Sequence, residues 1–133
     1  NRLKIDYPNM HIFSENQMLP AAAQGAIGIE VCGSQIQSSI LEILNMINCQ
    51  QTFTATKIER GIVAALEGSC LSPISALVTS QDSKLHLHVR VSNQDGSTII
   101  EKEITFLPAQ ELEAVSQFKI ELLAEGAQEL IQT

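Results

Sequence analysis

Tryptophan is absent from this 133-residue chain, and aromatics of any kind make up only 4% of it. Its core must therefore be aliphatic. Basic residues are also scarce: 8 Lys and Arg stand against 15 Asp and Glu, a formal net charge of −7. Nucleic acids and anionic membrane surfaces are bound by clustered Lys and Arg, so neither is expected as a partner. The longest apolar runs fall far short of a membrane span, and no signal or transit peptide is recognisable. Cysteine numbers three, at Cys32, Cys49 and Cys70, an odd count without CxxC spacing. A disulfide framework is not expected, and a reducing cytoplasm is the expected location. No metal is expected either, because no Cys/His set has the spacing of a zinc finger or ribbon.

What is present is globular in character, with 44% hydrophobic and 17% charged residues. At this length a single core is feasible, since folding buries about two-thirds of the extended chain's surface. The chain opens on Asn1 rather than Met, which raises the expectation of a trimmed or excised piece.

Periodicity divides the chain. Residues 1–20 read as irregular. From Ala21 to Val31 the chain is small, apolar and Gly-spaced. Ile27, Ile29 and Val31 alternate with Gly28 and Glu30, which predicts a strand with close backbone neighbours. Ile36, Ile40, Ile43, Leu44 and Ile47 then form one helical stripe, with Ser34 as N-cap and Asn48–Cys49 as the end. A second helix carries Ile58, Ile62, Val63 and Leu66 inward. Thr56 and Glu59 fit a capping box near its start, and Gly68 stands where a left-handed C-terminal cap belongs.

Three strand-like runs follow, at residues 74–79, 85–91 and 98–106, joined by short turn-rich links that favour an antiparallel meander. Pro108 stops the last strand and opens a final helix, with Leu112, Val115, Phe118 and Leu122 on its apolar stripe and Gly126 interrupting it. The expected fold is α+β: a three-stranded antiparallel sheet with about three helices packed on one face.

Candidate chemistry is sparse. Cys70 closes the run Leu66-Glu67-Gly68-Ser69-Cys70, just past a helix C-terminus. The negative partial charge there does not activate a thiol, so spacing alone gives a structural loop cysteine. His86 and His88 share a strand face with Arg90 but lack a third ligand of matching spacing. That face is expected to meet solvent or another domain. The Gly-rich Gln24-Gly25-Ala26-Ile27-Gly28 lacks the helix a phosphate loop requires, and close backbone packing explains it better. Glu111, Glu113, Glu121, Glu125 and Glu129 read as the wet face of the last helix, and Lys57 and Arg60 as surface charges or contacts to a partner domain.

Several segments, taken in order, resemble porphobilinogen deaminase (hydroxymethylbilane synthase). They are Met18-Leu19-Pro20-Ala21 with Gln24-Gly25-Ala26-Ile27-Gly28-Ile29-Glu30, then Glu59-Arg60, then Leu66-Glu67-Gly68-Ser69-Cys70 with Pro73-Ile74, and finally Leu122-Leu123 with Gly126-Ala127. The resemblance spans the chain from about Met18. It implies residues 1–33 as the tail end of preceding domains, including a return strand, and 34–133 as a C-terminal cofactor-attachment domain. It implies that Cys70 forms a thioether to a dipyrromethane cofactor, which primes the condensation of four porphobilinogen units to the linear hydroxymethylbilane. It places Gln24 and Gly25 against the cofactor or the growing oligopyrrole, and Arg60 in support near the cofactor loop.

The family's catalytic Asp and the arginines that hold pyrrole carboxylates belong to N-terminal catalytic domains that this chain does not contain. The chain alone is therefore expected to be inactive. Four positions depart from the family pattern: Ala23 before Gln24-Gly25, Val31 and Cys32 after Glu30, and Ser69 in place of Gly. The changes around Glu30 and at Ser69 motivate an alternative, a divergent non-catalytic binding or structural module without cofactor loading. A metal-binding α+β domain built on His86 and His88 is a third reading.

Overall fold

Residues 8–33 and 36–132 are described by the computed structural model; Ser34, expected as an N-cap, lies outside them. Four helices and three strands follow in the order α1 (Ser38–Ile47), α2 (Gln50–Ala65), β1 (Ile74–Gln81), β2 (Lys84–Ser92), β3 (Ile99–Phe106), α3 (Glu111–Ala124) and α4 (Ala127–Leu130). A single 3-10 turn at Pro108–Gln110 leads into α3.

The sheet is the antiparallel meander expected, in spatial order β1-β2-β3. Its first hairpin pairs Gln81 with Lys84 across Asp82 and Ser83. Both turn residues have positive φ, 51° and 63°, the backbone of a type I′ turn whose twist matches the strands. Strand alternation sorts the two faces. Ile74, Ala76, Val78, Leu85, Leu87, Val89, Val91 and Phe106 are buried on one side with Ile58, Ile62 and Leu66 of α2, Val115, Phe118 and Leu122 of α3, and Ala127 of α4. The core is aliphatic apart from two phenylalanines, as the composition required.

Two helices and the short α4 supply that cover; α1 does not. No residue of α1 is buried, and Ile40, Leu41, Ile43, Met46 and Ile47 are all exposed. Its stripe forms as read but joins no core, with Ile36 and Leu44 only half-buried. The predicted strand at 27–31 is likewise extended chain without a ladder, and Ile27 is 93% exposed. A strand is defined by a neighbour that satisfies its N–H and C=O groups, and none of the described residues takes that role there. The one pairing this region makes is an isolated bridge from Ala21 to Ser75 on the outer edge of β1.

Three local expectations are corrected. α2 begins at Gln50 with Cys49 as N-cap, so Thr56 and Glu59 lie inside the helix and form no capping box. The Thr56 hydroxyl instead donates back to the carbonyls of Thr52 (2.9 Å) and Phe53 (3.1 Å). The left-handed residue after α2 is Glu67 (φ 55°), not Gly68. The Glu67 N–H donates to the Ala64 carbonyl and the Gly68 N–H to the Val63 carbonyl, the paired bonds of a Schellman ending. Gly68 is needed for space: a Cβ there would overlap Ile74 Cδ1 and crowd Val63. Finally, Leu112 is 84% exposed. The first turn of α3 turns Glu111 rather than Leu112 inward, and Glu111 reaches Lys57 at 3.9 Å.

Candidate functional site

The Schellman ending of α2 directs the chain into a four-residue turn, Ser69–Ser72, that presents Cys70. The Ser72 N–H donates to the Ser69 carbonyl at 3.1 Å. The two serine side chains close the turn from within. Ser72 Oγ accepts from the Ser69 N–H at 2.9 Å, and Ser69 Oγ accepts from the Leu71 N–H at 3.2 Å. The two hydroxyls lie 3.4 Å apart. Ser69 does not adopt a left-handed backbone, so the side chain at this position organises the turn rather than straining it. Cys70 is exposed, and its thiol has no hydrogen-bond partner among the described residues. Cys70 is therefore no part of the core of this chain. The adjoining Gln128 of α4 braces the corner by donating to the Glu67 carboxylate at 2.8 Å.

Gln24 and Gly25 sit elsewhere. They occupy a tight turn in which Ala23 (φ 61°) and Gly25 (φ 81°) are both left-handed. The Gln24 N–H donates to the Ala21 carbonyl and the Ala26 N–H to that of Ala23. This turn lines a cleft of about 420 Å³ with Gln51, Thr52 and Thr56 of α2 and Val78–Ser80 of β1. Cys70 precedes the start of β1, whereas the cleft flanks its end. Six residue-to-residue steps take β1 from Ile74 to Ser80, roughly 20 Å at about 3.3 Å per step. The structure therefore sets the two expected cofactor-binding elements at opposite ends of one strand.

The link between them is Glu59. This α2 carboxylate is buried, at 5% exposure. Oε1 accepts from the Val78 N–H on the edge of β1 at 2.8 Å, and Oε2 accepts from the Ala23 N–H at 2.7 Å. Sequence reading placed Glu59 only in a motif and a cap. The usable signal was its phase, because Ala55, Glu59, Ile62 and Leu66 fall on the inward stripe of α2. Arg60, one residue on, is exposed and lines a second groove of about 720 Å³ with Ile27–Ile29 and the α1–α2 corner. Cys70 lines neither this groove nor the smaller cleft.

Cys49, at the start of α2, borders the same groove. Its thiol accepts a hydrogen bond from the Thr52 hydroxyl at 3.2 Å. That bond, followed by the Thr52 backbone N–H, lowers its pKa.

The sheet face opposite the core holds the histidines. His88 is 6% exposed, so the expected solvated face is closed over at this point. His88 Nε2 lies 2.7 Å from Glu101 and 3.5 Å from Glu103, and Arg90 donates to the same Glu101 at 2.6 Å. Arg90 also reaches the Asn16 carbonyl at 3.5 Å, tying the N-terminal segment to this face. His86 contacts Thr105 and Glu103. No group of three or more ligating side chains suited to a metal ion occurs among the described residues. His86 and His88 are thus engaged by side chains of the neighbouring strand β3.

A meander sheet with helices on one face and an exposed cysteine on a braced turn defines a small α+β module that presents a thiol. The sequence comparisons identify the kind. A family model described as "Porphobilinogen deaminase, C-terminal domain" matches residues 53–124. A porphobilinogen deaminase of Neisseria meningitidis is 36% identical over 131 residues, covering 98% of this chain and 41% of the relative. One from Chlorobium phaeobacteroides is 35% identical over 125 residues, with coverage of 90% and 39%. One from Campylobacter curvus is 31% identical over 134 residues, with coverage of 99% and 42%. The chain belongs to the porphobilinogen deaminase family. Within that family it corresponds to the C-terminal domain, and it spans about two-fifths of the length of these relatives. No helix among the described residues is long and apolar enough to cross a membrane.

Proposed function

We propose that this chain is the cofactor-carrying part of a working porphobilinogen deaminase, with residues 34–133 as the C-terminal domain and 1–33 as the end of the domains before it. Cys70 is the attachment nucleophile for a dipyrromethane. When bound, that group supplies the primer on which four porphobilinogens condense, each with loss of ammonia, to hydroxymethylbilane.

The single observation that carries this reading is the Cys70 turn. Thioether formation needs a sulfur open to solvent on backbone that does not move away, and the Ser69–Ser72 bonds meet that need. This chain's own contribution is thus to present and orient the thiol. It has few groups to bind the acetate and propionate side chains of pyrroles, which call for Arg and Lys clusters. Arg90 and Lys102 are already paired with glutamates. Carboxylate binding and acid–base catalysis are assigned to the N-terminal catalytic domains, which are this chain's proposed partners. Gln24 and Gly25 line the cleft beside β1 and are assigned to contact with the growing oligopyrrole. The cytoplasm is the proposed compartment, in keeping with an odd number of cysteines without CxxC spacing.

Intact mass measurement on the full-length protein, followed by peptide mapping, tests the proposal. A dipyrromethane-sized addition confined to Cys70, absent from Cys70→Ser, is the expected result. An unmodified Cys70 after substrate is supplied overturns it and leaves the non-catalytic module. The 133-residue chain alone is expected to form no bilane from porphobilinogen.

A further inference from the structure

We propose that Glu59 is a positioning residue that locks the Gln24–Gly25 turn onto the same rigid body as the helix presenting Cys70. The inference rests on the functional reading above for what the two elements do, but not for their linkage.

The physical argument starts from the edge of the sheet. β1 has a partner only on its β2 side, so the Val78 N–H points away from the ladder and needs an acceptor. The Ala23 N–H is in the same position, because the left-handed backbone at Ala23 turns the chain out of any strand register. One carboxylate answers both donors, at 2.8 and 2.7 Å. A buried carboxylate is costly unless its oxygens are paired, and each oxygen of Glu59 has one N–H. The arrangement is thus mutually required: the loop satisfies the acid, and the acid fixes the loop. Among the described residues, this bond and the Ala21–Ser75 bridge tie the 21–26 turn to α2 and the sheet. Because α2 also leads directly into the Cys70 turn, both functional elements are referenced to one helix.

Glutamine keeps the shape of Glu59 but offers one acceptor oxygen in place of two, so one of the two N–H groups loses its partner.

The test uses the full-length protein and its Glu59→Gln variant, followed by hydrogen exchange, intact mass and steady-state turnover. In the variant, amide exchange across residues 21–26 is expected to rise about tenfold or more, the scale of a lost charged hydrogen bond. Exchange across residues 85–91 of β2 should hold, and so should the mass of the Cys70 adduct. Turnover should then fall with the adduct intact, a separation that a loss of overall stability does not produce. Unchanged exchange at 21–26 in a folded variant overturns the inference, as does faster exchange with unaltered turnover in a loaded enzyme. If the variant fails to fold, the unsubstituted protein decides: an Ala23 amide that exchanges as fast as those of Gly25 and Ile27 overturns the proposal, and a protected one supports it. An unsubstituted protein without any Cys70 adduct counts against the functional reading, and the exchange data still judge the linkage.

Discussion

At the scale of single residues, the turn after α2 shows how one atom decides a conformation. Gly68 is not left-handed, so its value lies in the missing Cβ, whose place is taken by Ile74 Cδ1 and bordered by Val63. Gly68→Ala is expected to destabilise the fold by about 1–3 kcal/mol, the cost of overpacking a filled site, read as a lower thermal midpoint. Ser69→Gly should behave differently. It removes an acceptor for the exposed Leu71 N–H, so stability should stay within about 0.5 kcal/mol while exchange at Leu71 quickens.

Glu101 offers a pH-dependent test. The Arg90 hydrogen bond, and next the one from His88, hold its carboxyl below the ordinary glutamate value of 4.5. A lowered folded-state pKa gives stability that is complete above the unfolded value and is lost as pH falls through the lowered one. The Glu101 side chain is 42% exposed, and solvent screening keeps that contribution small. On acidification from about pH 5 to pH 3, the thermal midpoint of the unsubstituted chain should drop more than that of Glu101→Gln. Equal drops would remove Glu101 from the account.

At the scale of elements, the strands and their order were legible because alternation of apolar and polar residues survives burial on one face. The runs at 85–91 and 98–106 came within a residue or so of β2 and β3. The helices were legible in phase but not in fate. The stripe of α1 is as regular as that of α2, yet only α2 meets the sheet, and periodicity reports a face without naming what covers it. Strand 27–31 failed for the same reason. At the site, Cys70, Gln24 and Gly25 came from motif resemblance. Glu59's bridging role was hidden because its two partners are backbone N–H groups, which leave no side-chain signature at Ala23 or Val78.

The start of α2 gives a prediction of its own. With its pKa lowered by Thr52, Cys49 should alkylate at a lower pH than an ordinary thiol. Thr52→Val, which removes the leading hydrogen bond, should move that reaction to higher pH. Labelling with iodoacetamide across a pH series, resolved by peptide mass, checks both. No such difference between the two proteins would mean that the hydroxyl does not govern the thiol.

At the scale of the whole molecule, one side is finished and another is not. The core between sheet, α2, α3 and α4 is closed, with Leu122 fully buried; Leu122→Ala should cost about 2–5 kcal/mol. Ile27, Ile29, Ile47 and Phe53 of the larger groove stand exposed, as do Ile43 and Met46 of α1. Contiguous apolar surface of this kind promotes association. The purified chain is expected to self-associate with rising concentration, and Ile43→Lys with Met46→Lys to reduce that without shifting the thermal midpoint. Sedimentation at several concentrations would decide it.

The two margins of the sheet are guarded in unlike ways. β3 carries Glu101, Lys102 and Glu103 in succession, and charge on an outer strand repels a second sheet. β1 reads Ile-Ser-Ala-Leu-Val-Thr-Ser-Gln without a charge, and among the described residues its outer side is screened by the bridge at Ala21 and by the Glu59 carboxylate. A chain cut just after Ala26 would keep every strand and the helices that cover them. It would also leave an uncharged ribbon of open backbone, ready to recruit a like strand from another molecule and seed aggregates. On that view, the segment ahead of the helices serves this domain as a built-in chaperone for its own edge.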